Sequence, residues 1–275
     1  MTKIDIAFIG GSGLYKIPEI SEVKWVKVST NFGQPSSEIC TGRIGQCKVA
    51  FLPRHGKFHT ISPSKINYRA NIEALKKLGS ENIISLSAVG SLRNDYIPGD
   101  FVLVDQFIDK TYLRKKTFFD DDLVVHLPMA QPICKNIKNK LANSLKKLRI
   151  NFHNQGTYVC IEGPQFSTLA ESELFRSWGC DVIGMTNMPE AKLSLEAGIC
   201  YASVGMVTDF DCWHPDHENV SVDQIVKTLN DNSEKAKKLI SYIAKDKKLI
   251  CNEKIKNLAK NSIITNIEKV KKSTK

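Results

Sequence analysis

No stretch of this 275-residue chain approaches the roughly 20 consecutive apolar residues that span a bilayer. Its N-terminus, MTKIDIAFIGG, opens a strand at once, without the long apolar segment and cleavage site of a signal peptide. The eight cysteines include no C-x-x-C pair, and several sit inside apolar strand-like runs such as TYVCIEG and GICYASVGMV. This spacing argues against a zinc ribbon or a disulfide framework and reads as buried free thiols. Proline and glycine never gather into a linker, and no internal repeat or low-complexity run interrupts residues 1–245. The expectation is a cytoplasmic protein with one α/β domain.

Negative charge is scarce at the C-terminal end. Residues 245–275 hold ten lysines against three acidic residues, so the other 244 residues carry only +3 of the formal +10. Those lysines lack the interleaved aromatics on which single-stranded nucleic acid stacks. The excess reads as a solvated face or a solubility device, which leaves nucleic-acid binding through the tail as a remote alternative. The predicted organisation is a domain over 1–245 and a Lys-rich tail over 246–275, helical or partly disordered.

Strand and helix patterns alternate along the domain. KIDIAFIG (3–10) is an apolar run ending in glycines, EVKWVKV (22–28) alternates with period two, and 37–52 reads as a hairpin turning near Gly45. INYRANIEALKKLG (66–79) has helical spacing and a glycine stop. Strands follow at 82–90, 101–109, 157–163, 181–185 and 199–209, with helices around 133–148, 168–179, 188–198 and 221–245. Pro189 falls in the first turn of its helix, and Ser221 with Gln224 resembles a capping box. The fold class is a single α/β domain with a twisted mixed sheet flanked by helices.

Several strand ends carry anion-binding chemistry. IGGSGL (9–14) lacks the third glycine of a dinucleotide loop, which leaves either a plain turn or a turn that cradles one anion with Ser12. Arg54 and His55 close a strand in LPRHG, where a guanidinium and an imidazole can both donate to a phosphate, while His59 reads as structural. Ser87, Ala88 and Gly90 supply a hydroxyl and small residues at another strand end. Thr186 lies just before the N-terminus of the 188–198 helix, a favourable position for a negative ligand. Phe166, after a Gly-Pro turn, reads as packed unless a nucleobase stacks on it.

In VTDFDCWHPDH (207–217), three carboxylates, a thiol and two imidazoles fall within nine residues, Asp209 to His217. Pro215 breaks the run and no second Cys/His cluster completes a tetrahedral set, so a metal site is disfavoured. Asp209 and Asp211 project to one side of an extended strand, and their proximity is expected to raise one pKa, leaving a carboxyl able to protonate a leaving group.

These motifs, taken with HLPM (126–129), IEGPQFST (161–168) and SVDQIVKTL (221–229), resemble the trimeric purine nucleoside phosphorylases in their methylthioadenosine-cleaving branch. The resemblance covers most of the chain in order and leaves the tail from about 245 unaccounted for. It implies phosphorolysis of S-methyl-5'-thioadenosine to adenine and 5-methylthioribose 1-phosphate, with inorganic phosphate as co-substrate and neither cofactor nor metal. Ser12, Arg54, His55, Ser87 and Thr186 match phosphate-binding positions, and Ala88, Phe166 and Met185 match nucleoside-binding ones. His126 matches a residue that reaches into a neighbouring subunit's site, which implies a homotrimer. Asp209 would then protonate or hydrogen-bond N7 of the leaving adenine, and Asp211 would accept from its N6 amine. The nearest alternative is a phosphorylase preferring methylthioinosine, adenosine or inosine. An asparagine would suit the 6-oxo group of such bases better than the two aspartates do.

Overall fold

The computed structural model describes residues 3–11, 14, 16–119, 123–215, 222–245, 251 and 253–266. Strand β1 (Ile6–Gly10) shows why the sheet forms where it does. Ile6 and Phe8 enter one apolar layer, while Ala7 and Ile9 enter the other. Neighbouring side chains on a strand point to opposite faces, so a strand covered on both sides reads as an unbroken apolar run. β2 (Ile20–Val26), β3 (Ile39–Ile44) and β4 (Cys47–Pro53) follow, with β3 and β4 forming the expected hairpin about Gly45 at φ 58°.

Helix α1 (Tyr68–Lys77) is capped by the Asn67 side chain, which accepts from the Ala70 N–H. Beyond Leu78 the chain turns through Gly79 at φ 80°, the left-handed conformation for which glycine is suited. β5 (Asn82–Ser91) then crosses the middle of the sheet. The single strand expected over 101–109 is two, β6 (Phe101–Val104) and β7 (Gln106–Asp109). The chain changes partners at Asp105, whose carboxylate accepts from Lys138 Nζ at 2.8 Å and Gly156 N–H at 3.2 Å.

α2 (Lys135–Leu148), β8 (Phe152–His153), β9 (Thr157–Cys160), α3 (Leu169–Ser177) and β10 (Val182–Gly184) lead to α4 (Asn187–Glu196). Within α4, Met188 and Pro189 are non-helical and joined by a cis peptide bond, so the regular helix starts at Glu190 rather than at 188. β11 (Cys200–Asp209) and α5 (Val222–Lys245) complete the domain. The capping box expected at Ser221 and Gln224 falls outside the described residues.

Among the described residues the sheet has eleven strands and is mixed, and it branches at β5. β1 pairs with Ile83–Ser85 of β5 in parallel, and β10 pairs with Gly90 and Ser91 antiparallel. β11 runs parallel to β5 along its other edge, from Asn82 to Gly90. Between Ser85 and Gly90 the first edge of β5 is therefore free of strand partners among the described residues. α2 and α5 cover one face of the sheet, α1 and α4 the other, and no described helix is long and apolar enough to cross a membrane.

Part of the Lys-rich segment packs on this domain. Cys251 is buried in the α2–α5 layer, and Lys256 pairs with Glu81 at 3.0 Å. Ile263 bridges to Val125, just after α6 (Glu253–Lys256) and a short 3-10 turn at Lys260–Ser262. Burying even one side chain contributes roughly 1.5–3 kcal/mol. A chain ending at Lys245 is expected to lose at least about 2 kcal/mol in urea denaturation. An unchanged midpoint would show that residues 251–266 add nothing to the domain.

Candidate active site

The open edge of β5 is filled by a side chain. Arg54, one residue beyond β4, is 2% exposed and donates from Nη1 to Leu86 O at 3.2 Å, a β5 carbonyl at the gap. Its Nε and Nη2 reach Glu190 at 2.5 and 3.2 Å, and Nη2 also donates to Ser85 Oγ at 2.6 Å. Four of its five N–H groups are thereby engaged, and one on Nη1 remains. Burial works against the Arg54 charge, but Glu190 more than offsets it, so the guanidinium stays firmly protonated.

Ser87 and Thr186 are both buried beside this gap. Ser87 Oγ lies 3.5 Å from Asn187 Oδ1. The Thr186 hydroxyl, although near the Tyr158 hydroxyl, makes no well-formed hydrogen bond among the described residues. A buried hydroxyl without a partner is unfavourable unless a ligand completes it. The helix-terminus argument for Thr186 fails, because the regular turn begins only at Glu190. The unpartnered hydroxyl takes its place. Ser12 lies outside the described residues.

His55 differs from expectation in its hydrogen-bonding role. Burial first, and then the charge of Arg54, lowers its pKa to about 4, so the ring is neutral near pH 7. Nδ1 lies 2.9 Å from Ile61 O, and a carbonyl only accepts, so the single ring proton sits on Nδ1. Nε2 is then an acceptor, able to bond a protonated ligand oxygen but not to donate. His59, exposed and at φ 55°, stacks on this ring with centroids 4.3 Å apart.

The two aspartates lie by the far end of β5. Asp209 ends β11 opposite Gly90, where a Cβ would lie 3.0 Å from Asp209 Oδ1. Thr208 Oγ1 donates to Asp209 Oδ2 at 2.6 Å, and Asp211 N–H donates to Oδ1 at 2.8 Å. That second bond forms an Asx turn, with Asp211 in left-handed conformation at φ 53°. The carboxylates are thus joined by a turn and not by the alternation of an extended strand. The Asp209 pKa is raised chiefly by burial, against these two hydrogen bonds, and the Asp211 charge is the smallest contributor. Asp211 Oδ2 accepts from Ser167 Oγ at 2.7 Å. Beneath the loop, Trp213 donates to Ser91 O at 2.7 Å, Cys212 contacts Ser167 O, and His214 packs near Phe210. His217 lies outside the described residues.

Ala88 is the one exposed residue of the otherwise largely buried β5. Met185 is half-buried with its sulfur against Gly163, where a Cβ would come within 2.5 Å. Phe166 is 69% exposed and so is not packed within the chain. His126 is exposed too; its backbone N–H donates to Ser262 O, and no hydrogen bond among the described residues ties it to this site.

A family model for the phosphorylase superfamily matches residues 5–245. The chain belongs to that superfamily. It is 52% identical over 239 residues to an S-methyl-5'-thioadenosine phosphorylase of Cereibacter sphaeroides, covering 87% of this chain and 82% of the relative. A methylthioadenosine phosphorylase structure from an antarctic soil metagenomic library superposes with TM-score 0.91 at 44% identity, covering 98% of this chain and 95% of the other. A methylthioadenosine phosphorylase from Schistosoma mansoni in complex with adenine gives 0.87 at 36% identity, covering 94% and 98%.

The sequence reading of this superfamily member missed the groups that brace the site. Arg114, buried, donates to Tyr68 OH, to Glu162 through both side chain and carbonyl, and to the carbonyls of Ile161 and Met188. It thereby joins the turn before Phe166 to the start of α4. Burial raises the Glu162 pKa, yet the Ser64 hydroxyl, the N–H groups of Tyr112 and Leu113, and Arg114 outweigh it and hold it at about 2, below its ordinary 4.5. A depressed native pKa contributes stability in full above the unfolded value and loses it as pH falls toward the native one. The urea midpoint is therefore expected to fall between about pH 4.5 and 2. Glu162→Gln should lower the midpoint at neutral pH and flatten that dependence; an unchanged slope would remove Glu162 from the acid response.

Proposed function

We propose that the protein cleaves S-methyl-5'-thioadenosine with inorganic phosphate, giving adenine and 5-methylthioribose 1-phosphate. The observation that carries this reading is that β5 brings a polar group of residues and an acidic one together over Leu86 to Gly90. The polar group holds Arg54, Ser87 and the unpartnered Thr186 hydroxyl. The acidic group holds Asp209, whose burial keeps it protonated to higher pH than an ordinary carboxyl, and Asp211. Relatives about half identical in sequence carry the same activity in their names, which supports the substrate assignment.

In this mechanism phosphate binds the remaining Nη1–H of Arg54 and the hydroxyls of Thr186, Ser87 and Ser12. Neutral His55 accepts from a protonated phosphate oxygen through Nε2. A phosphate oxygen forms its bond to C1′ as the C1′–N9 bond breaks, and the electron pair leaves with adenine. Asp209 donates its proton, or a hydrogen bond, to N7. Asp211, with one oxygen already taken by Ser167, accepts the N6 amine with the other. Ala88 and Met185 lie against the ribose, and Phe166 covers the nucleoside. A site built to accept from an amine leaves buried groups unpaired when a 6-oxo base enters, which disfavours inosine.

The exposed Phe166, together with Tyr112 and Leu113 at 76% and 67% exposure, supports assembly into an oligomer that covers them. In the homotrimer we infer, His126 reaches a neighbouring subunit's site. A cytoplasmic location is part of the same reading, supported by eight free thiols, seven of them buried.

Base release from methylthioadenosine is expected to require phosphate, with inosine a poor substrate. Equal release without phosphate would indicate a hydrolase and refute the mechanism. Asp209→Asn is expected to lower kcat by about 10²–10⁴-fold, the usual range for general-acid catalysis, and to abolish the fall of kcat as pH rises through the raised Asp209 pKa. A variant that kept that limb would place the titrating group elsewhere.

A further inference from the structure

Glu190 is the first regular helical residue of α4, 1% exposed, and it touches three other elements. It grips Arg54 at the end of β4 through two contacts, at 2.5 and 3.2 Å. Its Oε2 also accepts from Ser85 Oγ of β5 at 3.0 Å and from Tyr201 OH of β11 at 3.1 Å. From Ser85 the network continues to Asn187 Oδ1 at 3.3 Å, which also lies 3.5 Å from Ser87 Oγ, and Asn187 Nδ2 donates to Ser203. One carboxylate therefore sets the guanidinium plane and is itself fixed from three sides.

We propose that Glu190 is a positioning residue for the phosphate co-substrate, acting through Arg54; this rests on the reading of Arg54 as a phosphate ligand. The fork in the sheet demands a donor for Leu86 O, and Glu190 takes two donors along one edge of the same guanidinium. With Ser85 Oγ taking the second Nη2–H, one Nη1–H is left for a ligand among the described contacts. An arginine without that anchor would be free to turn and pair with phosphate bidentately, at a position not set for attack on C1′. The carboxylate also neutralises a buried charge that would otherwise be strongly unfavourable. The two roles separate in kinetics, because loss of stability alone does not select between substrates.

The test measures KM and kcat for phosphate and for methylthioadenosine separately, in Glu190→Gln, Glu190→Asp and Thr186→Val, with thermal unfolding followed alongside. Glu190→Gln is expected to change kcat/KM for phosphate at least tenfold downward while the KM for methylthioadenosine moves less than threefold. Glu190→Asp, which restores the charge, is expected to recover part of the loss. If Glu190→Gln does not fold, Tyr201→Phe and Ser85→Ala each remove one hold on the carboxylate and should show the same selective effect at smaller size. Parameters for both substrates that change together, or not at all, would overturn the positioning role. Thr186→Val leaves Arg54 and Glu190 in place and tests the phosphate reading by itself. A lowered kcat/KM for phosphate there, with none in the Glu190 variants, overturns only the positioning role. No phosphate effect in either set overturns the phosphate reading.

Discussion

A gap in the hydrogen bonding of one central strand organises this molecule. β5 has β1 beside its first half and β10 beside its last two residues, and nothing described pairs with that edge in between. Buried backbone carbonyls need donors, so a parting of strands inside a protein is costly unless something polar fills it. Here a guanidinium does so, through Leu86 O. The charge of that group then calls for Glu190, and Glu190 recruits Ser85 and Tyr201. A buried polar cluster is thus a consequence of how the sheet branches, and Ala88 beside it faces outward. Clefts where open α/β sheets change direction are common ligand sites for the same reason.

Fold and site differ in how far they can be read from sequence. Apolar runs such as IAFIG and CYASVGMVTD are covered on both faces, and their shortness and β-branched residues mark them as strands and not buried helices. The Asn67 cap and the Gly79 stop of α1 are local chemistry and equally legible. The break at Asp105 was not, because its cause is Gly156 and Lys138, distant in sequence. Glu190 and Arg114 escaped notice for a related reason. Each is a charged residue whose meaning lies in partners dozens of residues away, although a lone acid in the apolar MPEAKLSL run was a visible signal.

The candidate site shows the same division at finer scale. Residue types carried the chemistry: hydroxyls and a cation on one side, carboxylates on the other. Protonation states did not follow from type. His55 was expected to donate, yet a backbone carbonyl at Nδ1 and the burial of the ring make Nε2 an acceptor. Asp209 was expected to owe its raised pKa to Asp211, whereas burial is the larger cause. The left-handed turn at Asp211 explains the difference. It brings that residue's N–H to the Asp209 carboxylate, so part of the Asp211 influence is a favourable hydrogen bond that opposes its charge.

That turn also explains how two aspartates two residues apart can take opposite parts. Asp209 terminates a buried strand against Gly90, where no side chain intervenes and water has little access. Asp211 has left the strand and takes a hydroxyl donor from the loop that carries Phe166. At Asp209 desolvation favours the neutral form and outweighs the two hydrogen bonds its carboxylate accepts. The two carboxylates therefore sit in different surroundings within one short motif, and in the proposed reaction a 6-aminopurine edge would present them with an acceptor at N7 beside a donor at N6. The separation requires the sheet to end at Asp209 and the chain to turn left-handed at Asp211. The same branching β5 supplies Gly90 for the first requirement and Leu86 for the arginine, so the aspartates and the buried arginine are held in register by a single strand.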